Sequence, residues 1–81
     1  PIYYDIENDY IIAIREGGLD LYDFKNIVIR KNYDFEEDIP VLYLLIFGDY
    51  ELTIKDKKLH FRVKLNIKEI NIEKEYIFDY N

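Results

Sequence analysis

Apolar and polar side chains alternate with a period of two along most of this 81-residue chain. The clearest case is LHFRVKLNI at 59–67, where Leu, Phe, Val, Leu and Ile occupy the odd positions. A period of two puts successive side chains on opposite faces of a β-strand and does not fit an amphipathic helix. Alternation at 10–14, 19–21 and 50–54, and the β-branched run at 27–29, predict further strands.

Turn-forming residues separate these strands at regular intervals. They fall at 7–9, 17–18, 25–26, 48–49, 56–58 and 68–69. The aromatic content of 17% argues against disorder despite the high charge. We therefore predict a single all-β domain over 1–81, an antiparallel meander of six to eight strands that closes as a small barrel or a two-layer sandwich.

The segment NYDFEEDIPVLYLLIFG, at 32–48, allows two interpretations. Asp38 could cap a helix with Pro40 in its first turn. The apolar run that follows has no polar face, which favours a strand from Val41 to Phe47 after a polar loop. We predict the strand, and the possibility that residues 35–47 begin as helix stays open.

The strand interpretation sets a register. A hairpin loop at 48–49 would place Phe47 opposite Tyr50, and the next hairpin would place Leu52 opposite Val63. One face of a three-stranded sheet is then continuously apolar. A slip of one residue would invert that face, so the pattern specifies its parity strongly.

The same register leaves three apolar side chains on the reverse face, namely Leu42, Leu44 and Ile46. Such a face requires a cover, either from the amino-terminal strands or from a second copy of the chain. We therefore predict self-association, most simply as a homodimer.

In the tail, we predict a strand with a bulge or break near residues 73–75 and with Ile77 facing outward.

Charge and tyrosine content indicate the kind of partner. Residues 1–53 hold twelve acids and four bases, and the chain contains nine Tyr. An acidic surface attracts basic ones, and Tyr is enriched at interfaces. We predict a non-enzymatic module that binds a protein, and a narrower hypothesis is a phage- or virus-encoded inhibitor acting on a basic protein surface. The predicted contact residues are Leu42, Leu44, Ile46, Tyr22, Tyr33, Glu36, Glu37 and Asp38.

A first alternative is a small β-barrel that binds single-stranded nucleic acid through a basic stripe. The stripe consists of His60, Arg62, Lys64 and Lys68. Phe61 has the buried parity, so the aromatic side chain and the bases would lie on opposite faces. That separation argues against nucleic acid as the partner.

Catalytic residues are scarce. The chain has no Cys or Ser and one His, so familiar nucleophile and base pairs cannot be assembled. Asp5, Glu7 and Asp9 are spaced like the start of a calcium loop, but Tyr10 stands where that loop needs Gly. We expect no enzyme activity, no cofactor and no metal.

A second alternative is an enzyme that uses the Pro1 amine as a base, if Pro1 is the natural amino terminus. The opening Pro1-Ile2 is similar to that of the tautomerase family. The likeness covers two residues. The long amphipathic helix and the arginine site of that family have no counterpart after Ile2.

No apolar stretch reaches the ~18 residues of a membrane span, and no signal-peptide pattern opens the chain. The sequence therefore predicts a soluble, cytoplasmic protein without a membrane partner.

Overall fold

The computed structural model describes residues 1–80 and is mostly β-structure. Its strands form two antiparallel sheets, β1-β2-β3-β4 and β5-β6-β7, and one helix, α1, precedes β5. The elements are β1 (Ile2–Asp5), β2 (Tyr10–Arg15), β3 (Gly18–Asp23), β4 (Val28–Asp34), α1 (Val41–Phe47), β5 (Asp49–Lys55), β6 (Lys58–Ile67) and β7 (Ile70–Asp79). The predicted all-β class with six to eight antiparallel strands is confirmed.

The chain divides into two compact units, the first ending at Ile39 and the second beginning at Pro40. Each unit contains one of the two sheets. No closed barrel is found within residues 1–80. The single domain and the two-layer sandwich stay predictions.

The first sheet follows the predicted alternation. Ile12 of β2 lies opposite Leu21 of β3, and both are buried. Leu19 pairs with Ile14 on one side and with buried Tyr33 on the other. These apolar cross-strand pairs form the core side of the sheet. The register of the β3–β4 pairing shifts between Leu21 and the next residue of β3.

The turn between β2 and β3 depends on two glycines for different reasons. Gly17 has a φ of 88°, in the left-handed region that glycine enters without steric penalty. At Gly18 a Cβ would stand 2.0 Å from the carbonyl oxygen of Tyr33, so no side chain fits between β3 and β4. The sequence-based assignment of a tight turn here is confirmed.

The β5–β6 hairpin turns over Asp56 and Lys57, which both have positive φ, as a two-residue type I′ turn requires. Leu52 lies opposite Phe61 instead of the predicted Val63, so the predicted register is wrong by two residues. A shift of two keeps each side chain on its face. The parity prediction therefore survives, and the apolar side chains of β6 at Leu59, Phe61, Val63 and Leu65 are buried.

The pairing of β7 with β6 runs without interruption, so the predicted bulge or break near residues 73–75 is wrong. Lys74 takes an inner-face position opposite Val63, where its ammonium lies 5.1 Å from the centroid of the Tyr76 ring. A cation–π contact lets a lysine occupy a position of apolar parity without breaking the strand. Ile77 faces outward as predicted, opposite His60.

The predicted strand from Val41 to Phe47 is wrong, because this segment is the helix α1. The Leu44 amide donates to the Pro40 carbonyl, and the Gly48 amide donates to the Leu44 carbonyl, both at 3.0 Å. Pro40 is the N-cap, without a side-chain capping hydrogen bond, so Asp38 does not cap the helix. The hairpin predicted at 48–49 does not exist.

Packing explains why this segment forms a helix. Val41 and Leu44, spaced three apart, are the buried residues of α1, and the helix contacts β5 and β6. Gly48 allows this approach, since a Cβ there would stand 2.6 Å from the Lys64 carbonyl oxygen and 3.0 Å from a Leu44 methyl carbon. The buried side of α1 is thus fixed against the second sheet.

Candidate interaction surfaces

The exposed side of α1 consists of four large apolar side chains, which we call the α1 patch: Leu42, Tyr43, Ile46 and Phe47. They are between 45% and 63% exposed. With about 100° between successive helical residues, the four cover an arc of roughly 140°. The rings of Tyr43 and Phe47 contact each other edge to face, with centroids 6.2 Å apart.

This arrangement differs from an ordinary surface helix, which shows polar residues to solvent and apolar residues to the core. α1 contains no charged or amide side chain, and the Tyr43 hydroxyl is its only polar side-chain group. Four such side chains at about half exposure present roughly 400 Å² of mainly apolar surface. A patch of about 300 to 600 Å² is the largest that a typical monomer exposes, and such patches are often functional.

The helix changes the grouping predicted for Leu42, Leu44 and Ile46. On a strand the three would share one face, whereas on α1 Leu44 is fully buried and the other two are exposed, at 63% and 61%. Positions four apart lie together on a helix, so Leu42 and Ile46 remain neighbours. The shared reverse face, from which the homodimer was predicted, does not exist.

Acidic residues flank α1 in the chain. The loop before the helix carries Glu36, Glu37 and Asp38, all exposed, and the exposed Asp49 follows two residues after the helix ends. Between residues 32 and 54 there are six acids and no Lys, Arg or His. Asp38 is three residues from the start of α1, so covalent geometry keeps it within about 10 Å of that end.

The predicted basic stripe lies on the outer face of the second sheet, and acids flank it on both sides. Arg62 lies between Glu51 and Glu75, and its Nη2 donates to a carboxylate oxygen of Glu51 at 2.8 Å. Lys64 lies between Asp49 and Glu73 in the same way. Each of these two rows of three residues has a net charge of −1, which would repel a phosphate backbone. A shallow groove of about 320 Å³ on these strands has the same mixed lining.

The other two members of the stripe are placed differently. His60 is half-buried opposite Thr53, and its Nδ1 lies 3.9 Å from an oxygen of Glu75, beyond hydrogen-bond distance. Lys68 sits in the β6–β7 turn at a φ of 52° and not on the strand. The four predicted nucleic-acid contacts therefore do not form one continuous basic surface.

One polar cluster in the first sheet was not predicted. The Arg15 side chain donates from Nε to Asp20 and from Nη2 to Asp34, both at 2.8 Å, and the Asn32 amide donates to Asp20 at 2.7 Å. Burial raises the pKa of Asp20, but the hydrogen bonds from Arg15 and Asn32 outweigh it and hold that pKa below its usual value. The hydrogen bonds that Arg15 donates raise its own pKa, and the bond to Asp20 contributes more than the bond to Asp34. Cross-strand parity could have suggested the Asp20–Asn32 pair.

The end of the first sheet that carries the β1–β2 and β3–β4 turns exposes further apolar side chains. Ile6 lies in the first of these turns and Phe24 in the second, and the ring centroids of Phe24 and Tyr4 are 5.2 Å apart. The Tyr4 hydroxyl donates to Asp9 at 2.6 Å, which raises the pKa of Tyr4. Ile27 holds a φ of 53°, which is costly for a β-branched residue. Acidic side chains such as Asp9 stand among the apolar ones, so this end of the sheet is not a purely apolar surface.

The two tyrosines predicted as partner contacts occupy opposite faces of the first sheet. Tyr22 is half-buried, paired with Ile11 and Ile29, whereas Tyr33 is buried on the core side. Tyr33 therefore has little surface to offer a partner. Tyr22 is partly exposed.

Pro1 continues the pairing of β1, since the Ile14 amide donates to its carbonyl at 3.0 Å. Strands and turns fill the chain from Ile2 to Asp34, so the long helix of the tautomerase family is absent there. In residues 1–80 no group of three or more His, Asp or Glu side chains is arranged to hold a metal ion. Nor does that part of the chain contain a helix with the length and apolar character to cross a bilayer.

No protein-family model, curated protein sequence or solved structure shows significant similarity to this chain.

Proposed function

We propose that the protein is a non-enzymatic interaction module that binds a protein partner through the α1 patch. The observation that carries the proposal is a helix whose exposed side is as apolar as its buried side. Water contact with roughly 400 Å² of apolar surface is unfavourable at about 25 cal/mol per Å², and a partner that covers the patch removes that contact.

The first alternative, nucleic-acid binding, has less support. Its bases at Arg62 and Lys64 are each flanked by two acids on neighbouring strands. Electrostatic contact with phosphates needs an excess of positive charge along the binding face. The outer face of the second sheet instead carries its charges in mixed rows.

Photo-cross-linking tests the proposal directly. A benzophenone amino acid replaces Ile46 in one variant and Ile77 in another, and each is irradiated in cells of the source organism. Both positions carry exposed isoleucines, but only Ile46 belongs to the α1 patch. We expect a discrete protein adduct from position 46 and none from position 77. Absence of an adduct at 46, or the same adducts at both positions, would contradict the proposal.

Self-association is a separate prediction, now without the strand face that motivated it. Light scattering over a range of concentrations tests it. A mass near the monomer value of 9.9 kDa would remove the homodimer, whereas twice that mass would retain it.

A further inference from the structure

We propose that the α1 patch docks into an apolar groove whose border on the partner protein carries Lys and Arg side chains. This inference rests on the proposed function and adds the chemistry of the partner. It combines the size of the patch, the charges at both ends of α1, and their effect on the other candidate occupants.

The size of the patch shows that its partner must touch more than apolar side chains. α1 has seven residues, so it is about 10 Å long. The patch offers roughly 400 Å², about half of the ~800 Å² that each partner buries in a standard interface. The remaining contact area must come from the surface around the helix.

The chain is acidic on both sides of the helix. Asp38 is three residues from the first residue of α1, and Asp49 is two residues from the last. The carbonyl end of the helix adds partial negative charge beside Asp49, since the last turn contains no basic residue. Lys64 lies opposite Asp49, but Glu73 flanks it from the other side, and that row remains at −1. A partner that covers this border gains most by presenting cations.

The same charges disfavour a second copy as the occupant. Covalent geometry keeps Asp38 and Asp49 within about 10 Å of the two ends of α1, so a twofold contact through the α1 patch would bring these acids of both copies close to one interface. Like charges placed together across an interface weaken binding. An anionic bilayer is disfavoured for the same reason, because it would meet acids at both ends of the helix.

Two synthetic peptides probe the chemistry of the partner. Each peptide is an amphipathic helix of 18 residues, or about five turns. Both have the same leucine stripe, and all other positions are Lys in one peptide and Glu in the other. We expect the whole protein to bind the Lys peptide, with affinity that falls as salt rises, and to show no affinity for the Glu peptide.

Matched variants separate the patch from net charge. Leu42→Gln with Ile46→Gln should weaken binding of the Lys peptide about tenfold or more, since Gln keeps the helical propensity. Ile77→Gln is the control for exposed isoleucine and should leave the affinity unchanged. Asp49→Lys should weaken binding about two- to fivefold more than Asp79→Lys, which makes the same charge change about 20 Å along the strands.

Each other result overturns the inference in its own way. Equal binding of both peptides, lost in the Leu42/Ile46 double variant, would retain the patch and reject the basic border. Binding of the Lys peptide that the double variant does not weaken would show attraction to net charge alone. A dimer that the double variant dissociates would identify a second copy as the occupant. Patch-dependent binding to phosphatidylcholine vesicles would identify a membrane. Cross-linking from position 46 tests the proposed function independently of these outcomes.

Discussion

The outer face of the β5–β7 sheet and the exposed side of α1 are both open to solvent, yet their chemistry is opposite. On the sheet, an acid stands beside a base on the neighbouring strand, as Glu51 does beside Arg62. On α1, the exposed residues are Leu42, Tyr43, Ile46 and Phe47. The first surface places opposite charges side by side on neighbouring strands, whereas the second leaves apolar area exposed.

The difference shows which kind of exposure indicates binding. Single exposed apolar residues such as Ile77 are normal on a sheet surface, and paired charges keep such a surface soluble. A contiguous apolar arc on a helix without charged residues is not normal in this sense. Such an arc is typical of an interaction surface. We therefore propose that the interaction surface lies on α1 and not on the basic stripe.

The largest expected effect separates the two sides of α1. Leu44→Ala should lower the free energy of unfolding by about 2 to 5 kcal/mol, because Leu44 is fully buried. Leu42→Ala, the same change two residues away on the exposed side, should cost less than ~1 kcal/mol. Urea denaturation of both variants measures the difference. Similar losses at the two positions would indicate a shared face, as on a strand.

Gly48→Ala tests the seat of α1 on the second sheet. The added methyl would meet the Lys64 carbonyl at 2.6 Å, so the end of the helix must shift. We expect a loss of about 1 to 3 kcal/mol by the same denaturation assay. Asp49→Ala, at the next position, is the control and should change stability by less than ~0.5 kcal/mol. Full stability in Gly48→Ala would show that α1 does not lie this close to β6.

The Arg15 cluster sharpens the contrast, because it predicts a pH dependence that α1 cannot have. Asp20→Asn should lower stability at pH 7 by about 1 to 2 kcal/mol. The folded pKa of Asp20 lies below its unfolded value, so its contribution is fully present above pH ~4 and is lost as the pH falls through the folded pKa. The gap between wild type and variant should therefore close in acid.

Asp34→Asn is the matched control, because Asp34 binds the same guanidinium but is largely exposed. It should cost less than ~1 kcal/mol. A gap for Asp20→Asn that widens as the pH falls would contradict the lowered pKa.

The smallest expected effect is at the outer face of the second sheet. Arg62→Gln removes an exposed ion pair and should change stability by about 0 to 0.5 kcal/mol. Fluorescence anisotropy with a single-stranded oligonucleotide should detect no binding by the unmutated protein at physiological salt. Salt-sensitive binding that Arg62→Gln weakens would instead move the functional surface to this face.

Much of the β-structure could be predicted from alternation. The inner positions of β6 are buried and Ile77 faces outward, as the parity of the sequence requires. The exact register was not predictable, because pairing Leu52 with Phe61 or with Val63 satisfies the same parity. A two-residue turn with positive φ at Asp56 and Lys57 selected between them.

The helix could not be predicted because VLYLLIF has no period. A continuous apolar run fits a buried strand or a helix equally well, and packing decides between them. Here the decisive contacts are long-range, namely those of α1 with β6 and of Gly48 with the Lys64 carbonyl. The α1 patch was missed for the same reason, although Leu42 and Ile46 were expected to be contact residues.

Backbone and side-chain NMR of residues 41–47 tests the central claim most directly. Helical Cα shifts over these residues, with close contacts between Val41 and Leu44 protons and strong solvent exposure at Leu42 and Ile46, are the predicted result. Extended-chain shifts with a cross-strand contact between Phe47 and Tyr50 would contradict it, and the α1 patch would not exist.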